Sequence, residues 1–277
     1  MRRLLLLLPL LAFPACSKPT APPPTSTSTS ASPSTPPSTS PSASPPADTR
    51  TFEVLDTSAG PLRILPIHHG TLLLSWGGRT LYVDPSHEAS FAALPKADVV
   101  FITDIHPDHL DPEALASVVT SNTLLIVPPS VAQKLPPNYH SVVVIKNGES
   151  RPFMTPFPQM TVDAVPMYNL TRGPTPGTLY HDKGRGNGYV ITFADKRVYI
   201  SGDTECTPEM KALKNIDVAF VCMNLPYTMP PSEAATCIKA FRPKIVYPYH
   251  YRGSDLAELD KALAEEKGIE VRKRDWY

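Results

Sequence analysis

The pattern of apolar and polar positions divides the chain into three regions. A short apolar run over residues 4–13 follows two arginines, and residues 17–50 contain almost only proline, serine, threonine and alanine. From residue 51 onwards, short apolar runs rich in β-branched residues alternate with polar turns, which is typical of strands. The third region, residues 51–277, is long enough to form one α/β domain with a buried core.

Predicted strands and helices alternate along this third region. Gly77-Gly78 lies between two apolar runs and predicts a hairpin turn. Further on, predicted strands are separated by helices, of which Ser232 is expected to cap one and Ser254 to begin the last. Two β-rich halves with outer helices fit an α/β fold, the αββα sandwich. Residues 169–187 are expected to form a long loop.

The stretch after the apolar run at residues 98–103 carries most of the candidate chemistry. Two carboxylates and two imidazoles lie within six residues: Asp104, His106, Asp108 and His109. Asp111-Pro112, just beyond, is typical of a helix start, so the cluster is expected in a loop between strand and helix. Imidazole and carboxylate suit a borderline divalent cation, although a solvated surface loop can carry the same residues.

Two later candidates also follow predicted strands. Asp203 comes after the apolar run 198–200, and His250 comes after the run 245–247. Open α/β sheets tend to place their sites at the ends of strands, so these side chains are expected to join the cluster. His69 is interpreted either as a group that supports the site or as a buried structural histidine.

The ordered set of motifs resembles the metallo-β-lactamase-fold hydrolases, in the branch of ascorbate-phosphate lactonases and N-acylphosphatidylethanolamine phospholipase D. The family signature is His-x-His-x-Asp-His, followed by a histidine on a third strand, a bridging aspartate and a final histidine. Here Asp104-x-His106-x-Asp108-His109 stands at the signature, Asp203 at the bridging position and His250 at the last. The segment from residue 64 to residue 85 also resembles this branch, and the likeness extends from about residue 62 to residue 253.

Two departures from the signature fall on the same metal position. Asp104 replaces the first histidine, and Tyr168 or Asn169 stands where the third-strand histidine is expected. His181, further along the chain, is a candidate for the missing imidazole. Asp104 and His106 offer an ion more oxygen and less nitrogen than the signature does. Oxygen ligands suit Mn²⁺, Mg²⁺ or Ca²⁺, whereas nitrogen ligands suit zinc. We therefore expect the position at Asp104 and His106 to bind its ion more weakly. The tight position, which suits zinc, is expected at Asp108, His109, Asp203 and His250.

The resemblance implies a hydrolase that uses one or two divalent ions. In that reading Asp203 bridges the ions, and Asp108 binds one of them and orients the metal-bound hydroxide or moves its proton. An ester, a lactone or a phosphodiester would be the substrate. The alternative is a non-catalytic envelope-anchored binding protein that keeps the fold with a degraded metal site.

Charge bears on the choice of partner. The chain has 26 Lys and Arg against 26 Asp and Glu, so no nucleic acid is expected. The predicted loop 169–187 carries Arg172, Lys183 and Arg185, which favours an anionic small-molecule substrate. A solvated basic loop is the other interpretation.

The N-terminal region predicts export. Residues 1–16 have the layout of a signal peptide, being too short to span a bilayer, and they resemble a bacterial lipoprotein box that ends at Cys16. Lipidation of Cys16 would anchor the protein to the membrane of the cell envelope, with residues 17–50 as a disordered linker. The alternative is ordinary cleavage near Ala15, which gives a soluble secreted or periplasmic protein.

The cysteine count argues against disulfides. Residues 51–277 contain Cys206, Cys222 and Cys237, and an odd number does not fit a disulfide framework. Cys222 and Cys237 are expected to be small unpaired core residues.

Overall fold

The structure, a computed structural model, describes residues 50–154, 157 and 159–277. The predicted signal peptide with Cys16 lies outside these residues, as does the predicted linker apart from Arg50. Among the described residues, no helix combines the length and the apolar character that crossing a membrane requires.

Seven consecutive strands form the first sheet, in the order in which they occur in the chain. They are β1 (Glu53–Thr57), β2 (Gly60–His68), β3 (Thr71–Trp76), β4 (Arg79–Val83), β5 (Val99–Phe101), β6 (Leu124–Val127) and β7 (Val142–Val144). Strands β1 to β4 run antiparallel, and β4 to β7 run parallel. Two short helices lie in the parallel part, α1 (Pro112–Val118) and α2 (Pro129–Ala132).

The second half of the chain repeats this plan. Its sheet contains β8 (Ser150–Phe153), β9 (Met160–Met167), β10 (Gly186–Phe193), β11 (Lys196–Ile200), β12 (Val218–Cys222), β13 (Ile245–Tyr249) and β14 (Glu270–Val271). Strands β8 to β11 run antiparallel, and β11 to β14 run parallel. Its helices are α3 (Pro208–Lys211), α4 (Pro231–Phe241) and α5 (Leu256–Leu263).

Burial on both faces of the strands shows how the layers stack. Successive side chains of a strand point to opposite faces. Leu72 and Leu74 of β3 belong to a core cluster that also contains Ile191 of the second sheet. Leu73, between them, belongs to a second cluster with Leu115 of α1. The two sheets therefore face each other, with α1 on the outer face of the first, and the predicted αββα sandwich is confirmed.

Several predicted element boundaries are confirmed and others are wrong. Gly77 and Gly78 both have positive φ, at 57° and 73°, as the predicted hairpin turn requires. Asp111 caps α1, its carboxylate accepting from two backbone N–H groups. Helix α4, however, begins after Pro230 without a side-chain cap, so Ser232 lies inside it. Helix α5 begins at Leu256 and is capped by Asp255 rather than Ser254.

The cysteine prediction is wrong for two of the three residues. Cys206, just before α3, forms a disulfide with Cys237 of α4. Their Cα atoms lie 5.5 Å apart, within the range that a disulfide spans. Cys222 is free and buried, as expected. An odd number of cysteines therefore excludes only the pairing of all three, because one disulfide and one unpaired thiol are also compatible with it.

Candidate metal centre

Four side chains from both sheets meet at the ends of parallel strands. The loop after β5 provides Asp108 and His109, while Asp203 follows β11 and His250 follows β13. One donor atom of each lies within 4.8 Å of the others. The Asp203 carboxylate is central, because its oxygens lie 3.4 Å from His109 Nε2 and 3.3 Å from His250 Nε2. We call these four residues the tight cluster.

The donor atoms of the tight cluster fit a divalent cation. His109 and Asp203 are buried, yet His109 Nε2 and Asp203 Oδ1 have no hydrogen-bond partner among the described residues. Buried polar atoms in proteins almost always have such a partner. Two imidazole nitrogens and two carboxylates converging on one place are a donor set that suits zinc.

The orientation of His109 is fixed from behind the cluster. Its Nδ1 lies 2.8 Å from Asp84 Oδ2. Thr103 fixes that carboxylate in turn, donating from its backbone N at 2.8 Å and from its hydroxyl at 2.6 Å. In the neutral form that binds metals, Nδ1 of His109 donates to Asp84 and the lone pair is on Nε2, which faces Asp203.

A second group of donors lies beside the tight cluster. It contains Asp104, His106 and His181, and we call it the secondary cluster. Within the part of the chain that the structure describes, His181 Nε2 has no hydrogen-bond partner. It lies 3.5 Å from Asp203 Oδ2 and 3.9 Å from Asp104 Oδ2. Burial lowers the pKa of His181 to about 4, which keeps the ring in the neutral form that binds metals. The structure thus places His181, the candidate for the missing imidazole, beside Asp104 and Asp203.

Asn169 and Tyr168 are not part of either cluster. Asn169 Oδ1 accepts from His181 Nδ1 at 2.7 Å, while its Nδ2 donates to Glu205 and to the Tyr227 carbonyl oxygen. Asn169 therefore orients His181. The Tyr168 hydroxyl donates instead to Glu209, at 2.9 Å.

The cations of the predicted basic loop are all neutralised. Arg172 pairs with Glu205 and Glu233, and Lys183 pairs with Glu209. Arg185 forms two hydrogen bonds to Asp104. The loop, which ends where β10 begins at Gly186, therefore does not present the free cationic patch that the sequence suggested.

A cavity of about 620 Å³ opens above both clusters. Tyr180, Tyr227 and Leu225 line one wall, and the two tyrosine rings lie 5.1 Å apart. Arg252 also lines the cavity, and its side chain is half exposed while its guanidinium bonds Glu88 at 2.6 Å. The cavity can therefore receive a small molecule with an apolar part.

His69 contacts the tight cluster directly. Its ring lies 3.7 Å from that of His250, and its Nε2 lies 3.5 Å from Asp108 Oδ2. The Tyr277 hydroxyl lies 2.7 Å from its Nδ1, and burial lowers the pKa of His69 to about 4. Of its two interpretations, the one in which His69 supports the site fits these contacts.

Sequence reasoning missed Asp84 and the positioning role of Asn169. Asp84 directly follows β4, so the strand-end pattern that identified Asp203 also applied to it. Asn169 gave no such signal, because its partner lies on the far side of a long loop.

Known proteins resemble the chain in sequence and in fold. A family model described as "Beta-lactamase superfamily domain" matches residues 63–250. A UPF0173 metal-dependent hydrolase of Enterococcus faecalis is 28% identical over 189 residues, which are 67% of this chain and 81% of the relative. One from Nanoarchaeum equitans is 28% identical over 222 residues, 76% of this chain and 95% of the relative.

A solved structure from Parabacteroides distasonis, named as a proposed metal-dependent hydrolase, matches with a TM-score of 0.74 and 42% identity. The match covers 82% of this chain and all of that chain. Igni18, a metallo hydrolase from Ignicoccus hospitalis, matches at a TM-score of 0.64 and 20% identity, which shows a shared fold.

Proposed function

Because the chain belongs to the β-lactamase superfamily and is a metal-dependent hydrolase, we propose that it cleaves an ester, a lactone or a phosphodiester, with a divalent ion held by the tight cluster. One observation carries the proposal. Buried donor atoms that have no hydrogen-bond partner in residues 50–154, 157 and 159–277 converge beside an open cavity.

The chemistry divides between the ion and the side chains. A bound divalent ion lowers the pKa of a water molecule towards neutrality and polarises the group to be cleaved. Asp108 is partly exposed to the cavity and lies 3.2 Å from His250 Nε2, so it can orient a water molecule by accepting a hydrogen bond from it. Burial alone would raise the pKa of Asp108, but the charge of His109 and hydrogen bonds from His250 and His69 outweigh it. The pKa of Asp108 therefore lies below its ordinary value, so the carboxylate stays ionised and can accept hydrogen bonds.

Asp203 lies between the two clusters. Its oxygens lie within 3.5 Å of His109, His250 and His181, so one buried carboxylate faces donors of both clusters. Burial would raise the pKa of Asp203, and the three histidines together lower it. An ionised carboxylate between the two clusters suits the bridging role that the family signature implies.

Zinc is the ion we propose for the tight cluster, with a second ion bound more weakly. His181 gives the secondary cluster two imidazoles, so it is not as poor in nitrogen as the sequence suggested. With this second imidazole, zinc becomes a candidate at the Asp104 position beside Mn²⁺, Mg²⁺ or Ca²⁺.

The cavity supports a substrate with an anionic group and an apolar part. Arg252 is the candidate for the anionic group, because it lines the cavity and its side chain stays half exposed while it pairs with Glu88. Tyr180 and Tyr227 are the candidates for the apolar part.

Export to the cell envelope is the proposed location. The Cys206–Cys237 disulfide supports it, because such bonds persist in oxidising compartments and are rare in the cytosol. The lipoprotein-like start at Cys16 supports a lipid anchor.

Metal analysis combined with a hydrolase screen tests the proposed function. The purified protein is analysed for metal per chain and assayed on esters, lactones and phosphodiesters, each in an anionic and a neutral form. We expect turnover that a chelator abolishes and added zinc restores. Turnover that survives complete metal removal would sink the proposal, and a lack of turnover in a metal-loaded protein would favour the binding-protein alternative.

Replacement of His250 by alanine tests the tight cluster within the same experiment. Because His250→Ala removes one of two imidazole donors, we expect both activity and at least one bound ion to be lost. His87→Ala is the matched control, since His87 pairs with Asp111 at 2.7 Å on the surface and belongs to neither cluster. Unchanged metal content in His250→Ala would exclude His250 from the site.

A further inference from the structure

Arg185 occupies the place at which a cation would neutralise Asp104. Its Nε donates to Asp104 Oδ1 at 2.9 Å and its Nη2 to Oδ2 at 2.8 Å. The same Nη2 lies 3.4 Å from His106 Nε2, a second donor of the secondary cluster. Asp104 is fully buried and the Arg185 side chain is 18% exposed, so water screens this pair little.

We propose that Arg185 is a built-in cation of the secondary cluster, which balances the charge that a second metal ion would otherwise balance. The chain then holds one ion tightly and a second one only weakly. This inference rests on the proposed metal-dependent function, because it concerns the number of ions in the same site.

The pair has the geometry of a strong interaction. Two parallel N–H···O bonds between a guanidinium and a carboxylate add directional hydrogen bonding to the charge attraction. An ion that binds Asp104 must displace one of these bonds or approach with the guanidinium nearby, and like charges repel at such distances. Either course weakens the binding of an ion there.

The backbone holds Arg185 at this place. The start of β10 crosses the end of β5, where Asn187 N donates to the Thr103 carbonyl oxygen at 2.9 Å. A Cβ on Gly186 would lie 2.8 Å from that oxygen, so the close approach requires glycine. Asp104 follows Thr103 and Arg185 precedes Gly186. The same crossing therefore brings the two charged side chains together.

The carboxylates of the two clusters have different ion-pair partners. Among the described residues, Asp108 and Asp203 of the tight cluster pair only with histidines. A histidine can give up its proton and bind an ion together with these carboxylates, whereas a guanidinium stays protonated and cannot bind one. Of the carboxylates in the two clusters, Asp104 alone pairs with an arginine in the described part of the chain.

Metal titration of the apoprotein tests this role. The full chain, Arg185→Gln and Lys183→Gln are stripped with a chelator and titrated with zinc, and bound zinc is counted per chain. Lys183→Gln is the matched control, since it removes a charge from the same loop but one that pairs with Glu209. In the wild type we expect one tight step and one weak step. In Arg185→Gln the second step should become at least about tenfold tighter, with the control unchanged.

Arg185→Gln leaves the Asp104 carboxylate buried without its cation, which lowers the stability of the apoprotein. Thermal unfolding with and without zinc therefore accompanies the titration. Zinc should then raise the melting temperature of Arg185→Gln more than that of the wild type. Arg185→Lys keeps the charge and loses the paired geometry, so its second step should lie between those of the wild type and Arg185→Gln.

Two outcomes would overturn the inference. One is two equally tight zinc steps in the wild type, and the other is a second step that is the same in the wild type and Arg185→Gln. Absence of any tight step in all proteins is a different result, because it would reject the metal-dependent function itself.

Discussion

At the scale of single residues, the candidate site depends on which nitrogen of each histidine is left free. Asp84 engages Nδ1 of His109 and Asn169 engages Nδ1 of His181, so that both Nε2 atoms face the same place. The sequence could place the ligands, because each follows a strand. It could not show how Asn169 or Arg185 acts, since their partners are fixed only when distant segments meet.

The charge of Asp84 gives a test of this arrangement. Asp84→Asn keeps the size of the side chain and one acceptor oxygen, but it removes the charge that polarises His109 and one of the two acceptors for Thr103. Loss of such a partner typically weakens metal binding by about 10–100-fold, and we expect a fall of that size in zinc affinity. Competition against a chelating dye measures it.

Asp98→Asn serves as the control for Asp84→Asn. Asp98 also bonds a backbone N–H and a side chain, Thr80 and Arg79, but it lies outside both clusters. Equal zinc affinity in Asp84→Asn and the wild type would show that the Asp84 charge does not act through His109.

At the scale of elements, strands were more predictable than the ends of helices and loops. Apolar runs mark strands because burial on both faces requires them, as in β5 and β12. The first residue of a helix depends on which of several neighbouring residues caps it or fixes the backbone there. At α4, Pro230 and Pro231 set the start, and at α5 Asp255 follows Ser254 and provides the capping carboxylate.

The disulfide ties α4 to the segment before α3, across 31 residues of sequence. A crosslink restricts the unfolded chain, and a loop of this length typically contributes about 2–4 kcal/mol to the free energy of unfolding. We expect the double variant Cys206→Ser, Cys237→Ser to lose that amount in urea denaturation.

A reducing agent provides the control for the disulfide. It should lower the stability of the wild type towards that of the double variant and leave the double variant unchanged. If the wild type and the double variant unfold at the same urea concentration, the bond does not stabilise the fold.

At the scale of the whole molecule, the site lies where the two halves of the chain meet. The alternating pattern predicted two sheets and outer helices, yet nothing in it fixed how the sheets come together. The contact between Asp104 and Arg185 joins residues 81 apart, and such pairs are set by packing rather than by local pattern.

The proposed attachment to the envelope is tested in a bacterial host. Cys16→Ser should move the protein from the membrane fraction to the soluble fraction, because it removes the thiol that would carry the lipid. Ser17→Ala, a change at the next residue, should leave it in the membrane fraction. A wild type that is already soluble would show that lipidation is wrong and would favour secretion.

The origin of the ligands in both halves has a thermodynamic consequence. His109 belongs to the first half, and Asp203 and His250 belong to the second, so an ion held between them links the two halves. A ligand that binds only the folded chain stabilises it, by about 4 kcal/mol when its free concentration is a thousandfold above the dissociation constant. When metal is scarce, the protein would lose catalysis and resistance to unfolding together.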